Sequence, residues 1–231
     1  MNTDELRAAF LVESLFTPGK AELVYSDADR AIIGSAVPTA TPLALSADAE
    51  LRAAYFCERR ELGVLNIGGA GTVEVDGARH DLGKLDCLYV GRGIRNVSFA
   101  SRDPAQPAAF YLLSYPAHAP LPTKRATLKD ATPVELGGPA DANRRTIYKY
   151  IHTGGIPSCQ LVMGFTQMAP GAVWNTMPPH THTRRSEVYL YFDLDAKRRV
   201  MHFMGAPQQT RHLIVADRQA VISPSWSIHC G

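Results

Sequence analysis

An all-β protein of two sandwich or barrel lobes, with few and short helices, is what this sequence predicts. Three observations carry it. Short runs rich in Val, Ile, Leu and Tyr recur along nearly the whole chain, separated by Gly, Pro and Asp. A stretch crowded with proline interrupts the rhythm near the middle and has few apolar runs. Helical periodicity is confined to the first residues.

Residues 3–16 read as a short helix, with Leu6, Phe10 and Leu15 near one face, Thr3 as its cap and acidic residues in the first turn. The strand series is clearest from Leu62. Gly68-Gly69-Ala70-Gly71 divides one strand from the next, Thr72-Val73-Glu74-Val75 alternates at period two, and Asp76-Gly77 is a hairpin turn. Cys87 to Val90, Asn96 to Phe99 and Ala109 to Leu113 continue it. So many short strands at this spacing predict a sandwich or barrel. Pro116, Pro120, Pro122, Pro133, Pro139 and Gly137-Gly138 mark residues 116–145 as a connector. Strands resume at Ile147–Ile151, Gln160–Phe165, Glu187–Phe192, Val200–Phe203, His212–Val215 and Gln219–Ile222. The expected division is therefore residues 1–115, the connector 116–145, and residues 146–231.

Composition narrows the function classes. The chain has 231 residues, 45% of them hydrophobic and 20% charged, with a formal charge of +2, so nothing favours a nucleic-acid partner. No apolar run approaches the ~20 residues needed to cross a bilayer, and the first residues lack the pattern of a secretory signal. Cys57, Cys87, Cys159 and Cys230 form no C-x-x-C pair and read as thiols in a reducing compartment. Cytoplasm is the expected location.

The chemistry is expected at His180-Thr-His182, Glu187 and His229. On a strand, residues two apart point to one face, so His180 and His182 share a side. Glu187 stands at an odd offset from His182. Thr183-Arg184-Arg185-Ser186 must turn the chain, so that the next strand starts at Glu187 and runs antiparallel beside the first. Tyr189 and Tyr191 then share the Glu187 face. His229, after the turn Ser223-Pro224-Ser225, must be delivered by the fold. Imidazoles and a carboxylate without thiolate suit Zn, Mn, Fe, Co or Ni in a working site rather than a structural zinc clamp. His80, His118, His152 and His202 have no comparable company; His212, in Gln208-Gln209-Thr210-Arg211-His212, could edge the pocket.

The quartet, after the Gly171–Pro179 approach, resembles the cupin superfamily. Leu62-Gly-Val-Leu-Asn-Ile-Gly-Gly-Ala-Gly, Asn143-Arg-Arg-Thr-Ile-Tyr-Lys-Tyr, Trp174-Asn-Thr-Met-Pro-Pro-His-Thr-His-Thr-Arg-Arg, Glu187-Val-Tyr-Leu-Tyr-Phe and Ile222-Ser-Pro-Ser-Trp-Ser-Ile-His-Cys-Gly are similar to the 5-keto-4-deoxyuronate isomerase family. The resemblance implies two cupin-like lobes (a bicupin), with residues 1–115 lacking the quartet. It also implies His180, His182, Glu187 and His229 as zinc ligands, and a homo-oligomer, with hexamers among the family. Family members begin before this Met1 and carry a further strand beyond this Gly231. The C-terminal lobe is therefore expected to be truncated, with an open sheet edge and a loosely held His229.

The implied activity is an aldose–ketose isomerisation of a small anionic sugar in pectin and polyuronate breakdown. It converts 5-dehydro-4-deoxy-D-glucuronate to 3-deoxy-D-glycero-2,5-hexodiulosonate. With Glu187 engaged as a ligand, the candidate bases are Lys149, Tyr189 and Tyr191, unless the hydrogen shifts directly between carbons. Arg184, Arg185 and Arg144, with Arg145 and Lys149, are candidates for the substrate carboxylate. The alternatives are 5-deoxyglucuronate isomerisation in inositol breakdown, an iron-dependent dioxygenase, and a sugar-binding cupin without catalysis.

Overall fold

A computed structural model describes all 231 residues. It is built mainly of β-strands, and no helix is long and apolar enough to cross a membrane. The chain forms two compact units, and these are interleaved rather than consecutive. One comprises residues 16–134 and 147–165; the other comprises residues 1–15, 135–146 and 166–231.

In the larger unit a six-stranded antiparallel sheet runs in the order Lys124–Ala126, Cys87–Val90, Arg60–Asn66, Phe110–Pro116, Ile32–Ala36, Ala21–Tyr25. A four-stranded sheet runs Leu43–Ala44, Val97–Ser101, Gly71–Val75, Ala78–Leu82. Val64 lies opposite Leu88 on one side and Leu112 on the other. These side chains pack with Val73, Val75, Leu82, Phe99 and Phe110 into one buried cluster. The expected hairpin is present: Asp76 and Gly77 both have positive φ, Val75 pairs with Ala78, and the Asp76 carboxylate accepts from the amides of Arg95 and Asn96. Gly69 is required because a Cβ there would meet the Gln106 carbonyl at 2.0 Å.

The stretch expected to be a plain connector contributes a strand, because Lys124–Ala126 pairs with Cys87–Val90 and closes that edge of the sheet. Residues 147–165 also return to this unit rather than opening the C-terminal one. Glu61 holds them. Its carboxylate is fully buried and accepts from the amides of Cys159, Gln160 and Leu161 and from the Tyr89 hydroxyl, at 2.7–2.8 Å.

The smaller unit contains two three-stranded sheets. One runs Leu11–Val12, Gln219–Ser223, Glu187–Tyr191; the other runs Gln209–Val215, Val200–Ala206, Ile228–Cys230. The expected N-terminal helix is shorter, Thr3–Phe10, and its cap is Asn2 rather than Thr3. Asn2 accepts from the Glu5 amide while the Glu5 carboxylate accepts from the Asn2 amide, both at 2.9 Å. Leu6 and Leu11 join Met204, Leu213, Val215 and Val221 in the core of this unit. That apolar burial is the reason the first 15 residues belong with the C-terminal strands.

Glu61→Ala strands three amides and a phenol without their acceptor. We expect it to cost at least about 3 kcal/mol in urea unfolding, with Glu61→Gln losing less because one carbonyl oxygen remains.

Candidate metal centre

The two sheets of the smaller unit each supply part of one cluster. His229 occupies the middle of Ile228–Cys230, directly opposite Met204 on the neighbouring strand. It is 2% exposed and so is not loosely held; its strand forms the edge of its sheet, laddered on one side to Val200–Ala206, and the Gly231 carbonyl accepts from the Asn175 amide at 2.8 Å. His180 forms a single antiparallel bridge with His229. No longer strand forms there, since Pro178 and Pro179 have no amide to donate. Glu187 comes from the other sheet, where it pairs with Ser223. The expectation that the Glu187 strand lies beside the His180–His182 segment is thus corrected: the bend at Thr183-Arg184 carries the chain from one sheet to the other.

The three imidazoles place one ring nitrogen each within 4.8 Å of one another, a group able to hold a metal ion. Glu187 faces them, with Oε1 2.7 Å from His182 Nε2 and Oε2 3.4 Å from His229 Nε2. Tyr189 donates to Glu187 Oε2 at 2.6 Å, and Arg185 donates to Oε1 at 2.9 and 3.2 Å. Burial alone would raise the Glu187 pKa, but the Tyr189 hydroxyl, His229, His182 and Arg185 outweigh it and hold the carboxyl below the ordinary range. Burial lowers the pKa of His182 and of His229, against the pull of Glu187. Neutral imidazoles facing an ionised carboxylate are the protonation states a metal needs.

The second ring nitrogen of His180 fixes its tautomer. His180 Nδ1 is 3.0 Å from the Pro178 carbonyl, to which it can only donate, leaving Nε2 with a lone pair. His229 Nδ1 lies 3.4 Å from Ser223 Oγ, and its Nε2 is buried with no hydrogen-bond partner. An orphaned buried nitrogen beside two more imidazoles and a carboxylate fits a cation.

Of the other residues singled out in the sequence, Tyr189 and Tyr191 lie in this cluster; their rings stack 6.5 Å apart, and Tyr189 is 5.5 Å from the His229 ring. Burial raises both phenol pKa values, so both stay protonated at neutral pH. Arg185 is turned onto Glu187. Arg184 and Arg144 are exposed, and Arg145 is buried with its guanidinium on the Asn143 carbonyl. Lys149 belongs to the larger unit. His212 pairs with Phe203, on the sheet face opposite His202 and Met204, so it does not reach this interior.

His202, not among the expected site residues, is fully buried here. Its Nδ1 lies 2.8 Å from the Tyr191 hydroxyl, its ring is 5.3 Å from that of Tyr189, and its Nε2 has no partner. A polar residue in the inward phase Val200-x-His202-x-Met204 was the available signal. It was masked because the other phase, Met201 and Phe203, is equally apolar.

Paired β-sheets that bring together three histidines and a carboxylate define a protein of the cupin fold. Solved structures agree on the fold: an IolB-like protein from Salmonella typhimurium matches with a TM-score of 0.75 at 12% identity, over 96% of this chain and 86% of that one. A Bacillus subtilis oxalate decarboxylase variant matches with a TM-score of 0.64 at 13% identity, over 94% and 70%. The chain belongs to the KduI/IolB family, whose profile matches residues 10–230. It is 57% identical over 229 residues to a protein of Halalkalibacterium halodurans and 58% identical over 229 residues to one of Shouchella clausii. Both are named 4-deoxy-L-threo-5-hexosulose-uronate ketol-isomerase, and in each case the match covers 99% of this chain and 83% of the relative.

Burial, and secondarily His229, lowers the His202 pKa from 6.5 to about 4. Between these values the unfolded chain binds a proton that the folded chain refuses. The stability contributed is therefore fully present above pH 6.5 and is lost as pH falls through about 4. We expect that loss to reach roughly 3 kcal/mol and to flatten in His202→Asn, measured by urea unfolding across this range.

Proposed function

We propose that this chain is a metal-dependent ketol-isomerase converting 5-dehydro-4-deoxy-D-glucuronate to 3-deoxy-D-glycero-2,5-hexodiulosonate, a step in polyuronate breakdown. The observation that carries the reading is the convergence of His180, His182 and His229 on the Glu187 carboxylate, in a chain 57–58% identical to proteins named for this activity. In this reading the four residues hold a divalent ion, zinc by family resemblance. When bound, the ion supplies Lewis acidity toward the oxygens of the reacting carbons.

The chain's own groups have separable parts. Arg185 and Tyr189 hold the two oxygens of Glu187 in place and keep it ionised. Tyr189 and Tyr191 are protonated phenols and so donate hydrogen bonds rather than remove the carbon-bound hydrogen. That hydrogen leaves to another base, for which Lys149 stays a candidate, or passes directly between the two carbons. With Arg185 committed to Glu187, the substrate carboxylate is assigned to the exposed Arg184, two residues from His182, with Arg144 as the second candidate.

The test is to measure bound metal, then offer 5-dehydro-4-deoxy-D-glucuronate and 5-deoxyglucuronate separately and follow each by NMR in deuterated water. Turnover of the first that ceases on chelation supports the reading. Deuterium on the carbon skeleton marks transfer through a base, and its absence marks a direct shift. Oxygen uptake, or a metal-loaded protein inert toward the first sugar, overturns it. His182→Ala is expected to lose metal and at least about 100-fold in activity together; activity without metal would remove the quartet from the catalytic centre.

A further inference from the structure

His202 is placed by two strands. It pairs with Leu213, and two residues on Met204 pairs with His229, so His202 and His229 are diagonal neighbours on one sheet face. Both are buried. The ring of His202 is clamped from the other sheet by Tyr191, whose hydroxyl lies 2.8 Å from Nδ1, and by Tyr189 at 5.3 Å.

Three buried polar atoms around this point have no hydrogen-bond partner: His202 Nε2, His229 Nε2 and Asn175 Oδ1. The His229 nitrogen is accounted for by the metal group. The other two are not, and they fix a direction. Asn175 Oδ1 accepts from nothing, so the Tyr191 proton does not go there. The Tyr191 hydroxyl lies 2.8 Å from His202 Nδ1, and we assign the phenol as the donor of that hydrogen bond. A neutral imidazole accepting at Nδ1 carries its proton on Nε2. The result is a buried N–H donor with no acceptor, beside the proposed metal group, and a buried carboxamide oxygen with no donor. A buried donor left without an acceptor is costly, which marks it as a place for a ligand oxygen.

We propose that His202 Nε2–H is a substrate contact: it donates a hydrogen bond to a hydroxyl or carbonyl oxygen of the bound sugar acid, with Tyr191 as the positioning residue that fixes its tautomer. This rests on the ketol-isomerase reading for the identity of the ligand but not for the tautomer. A neutral N–H donor addresses an uncharged oxygen of the sugar, and so selects for hydroxylation pattern rather than charge.

Three variants separate the parts. Gln places an amide N–H near the position of Nε2, and Asn places its polar atoms near Nδ1. His202→Asn, folded and metal-loaded, is expected to lose about 30-fold in kcat/KM, mainly through KM, while His202→Gln keeps most of it. Tyr191→Phe is expected to mix the tautomers. Long-range proton–nitrogen NMR of the wild-type protein is expected to show His202 protonated at Nε2, with that signal shifting on addition of 5-dehydro-4-deoxy-D-glucuronate. Wild-type kcat/KM in His202→Asn, a proton on Nδ1, or an Nε2 signal indifferent to the saturating sugar overturns the inference. Failure of wild-type turnover overturns the assigned function instead, and the tautomer and its response to the sugar still decide the role of His202.

Discussion

Keeping the Glu187 carboxylate ionised while it is partly buried organises everything around the histidines. A carboxylate withdrawn from water is neutralised unless donors and positive charge offset the loss. Tyr189 from the same strand, Arg185 from the preceding bend and the two imidazoles each side of it meet that need. The condition can be met only if the sheet bearing Glu187 faces the sheet bearing His229. The helix Thr3–Phe10 and Leu11 contribute through their share of the core that joins the two sheets.

The larger unit also buries a carboxyl group, with a different outcome. Glu61 is more deeply buried than Glu187, yet every donor it receives is fixed: three consecutive backbone amides and one phenol. Nothing is left over, and the carboxylate acts as a staple for residues 159–161. Around Glu187 the donors are side chains, and nitrogens of His229 and His202 remain without hydrogen bonds. Surplus unsatisfied capacity in a closed interior separates a site that can take a ligand from a site that holds the chain together.

The alternation and turn chemistry made much of the fold legible. Asp76-Gly77 forms the hairpin it spells, and the strand at Glu187 starts where the odd offset from His182 requires. Tyr189 and Tyr191 accompany Glu187 into the interior because side chains two apart share a face. Misplaced boundaries came from contacts far apart in sequence: Leu6 and Leu11 buried with Val221, and Glu61 bonded to residues about a hundred positions later. Local patterns carry no record of such partners.

Sequence alone determined the residue types of the site, the spacing that brings His180 and His182 together, and the family to which the chain belongs. These depend on identity and on period, which are local. Tertiary structure decided which sheet supplies Glu187, that Arg185 serves that carboxylate, that His229 is gripped by the Val200–Ala206 strand, and that His202 joins the pocket. Each of these depends on which strands pair and which sheets face one another. The free energy that settles such pairings comes from burying the whole core, not from any one segment of the chain.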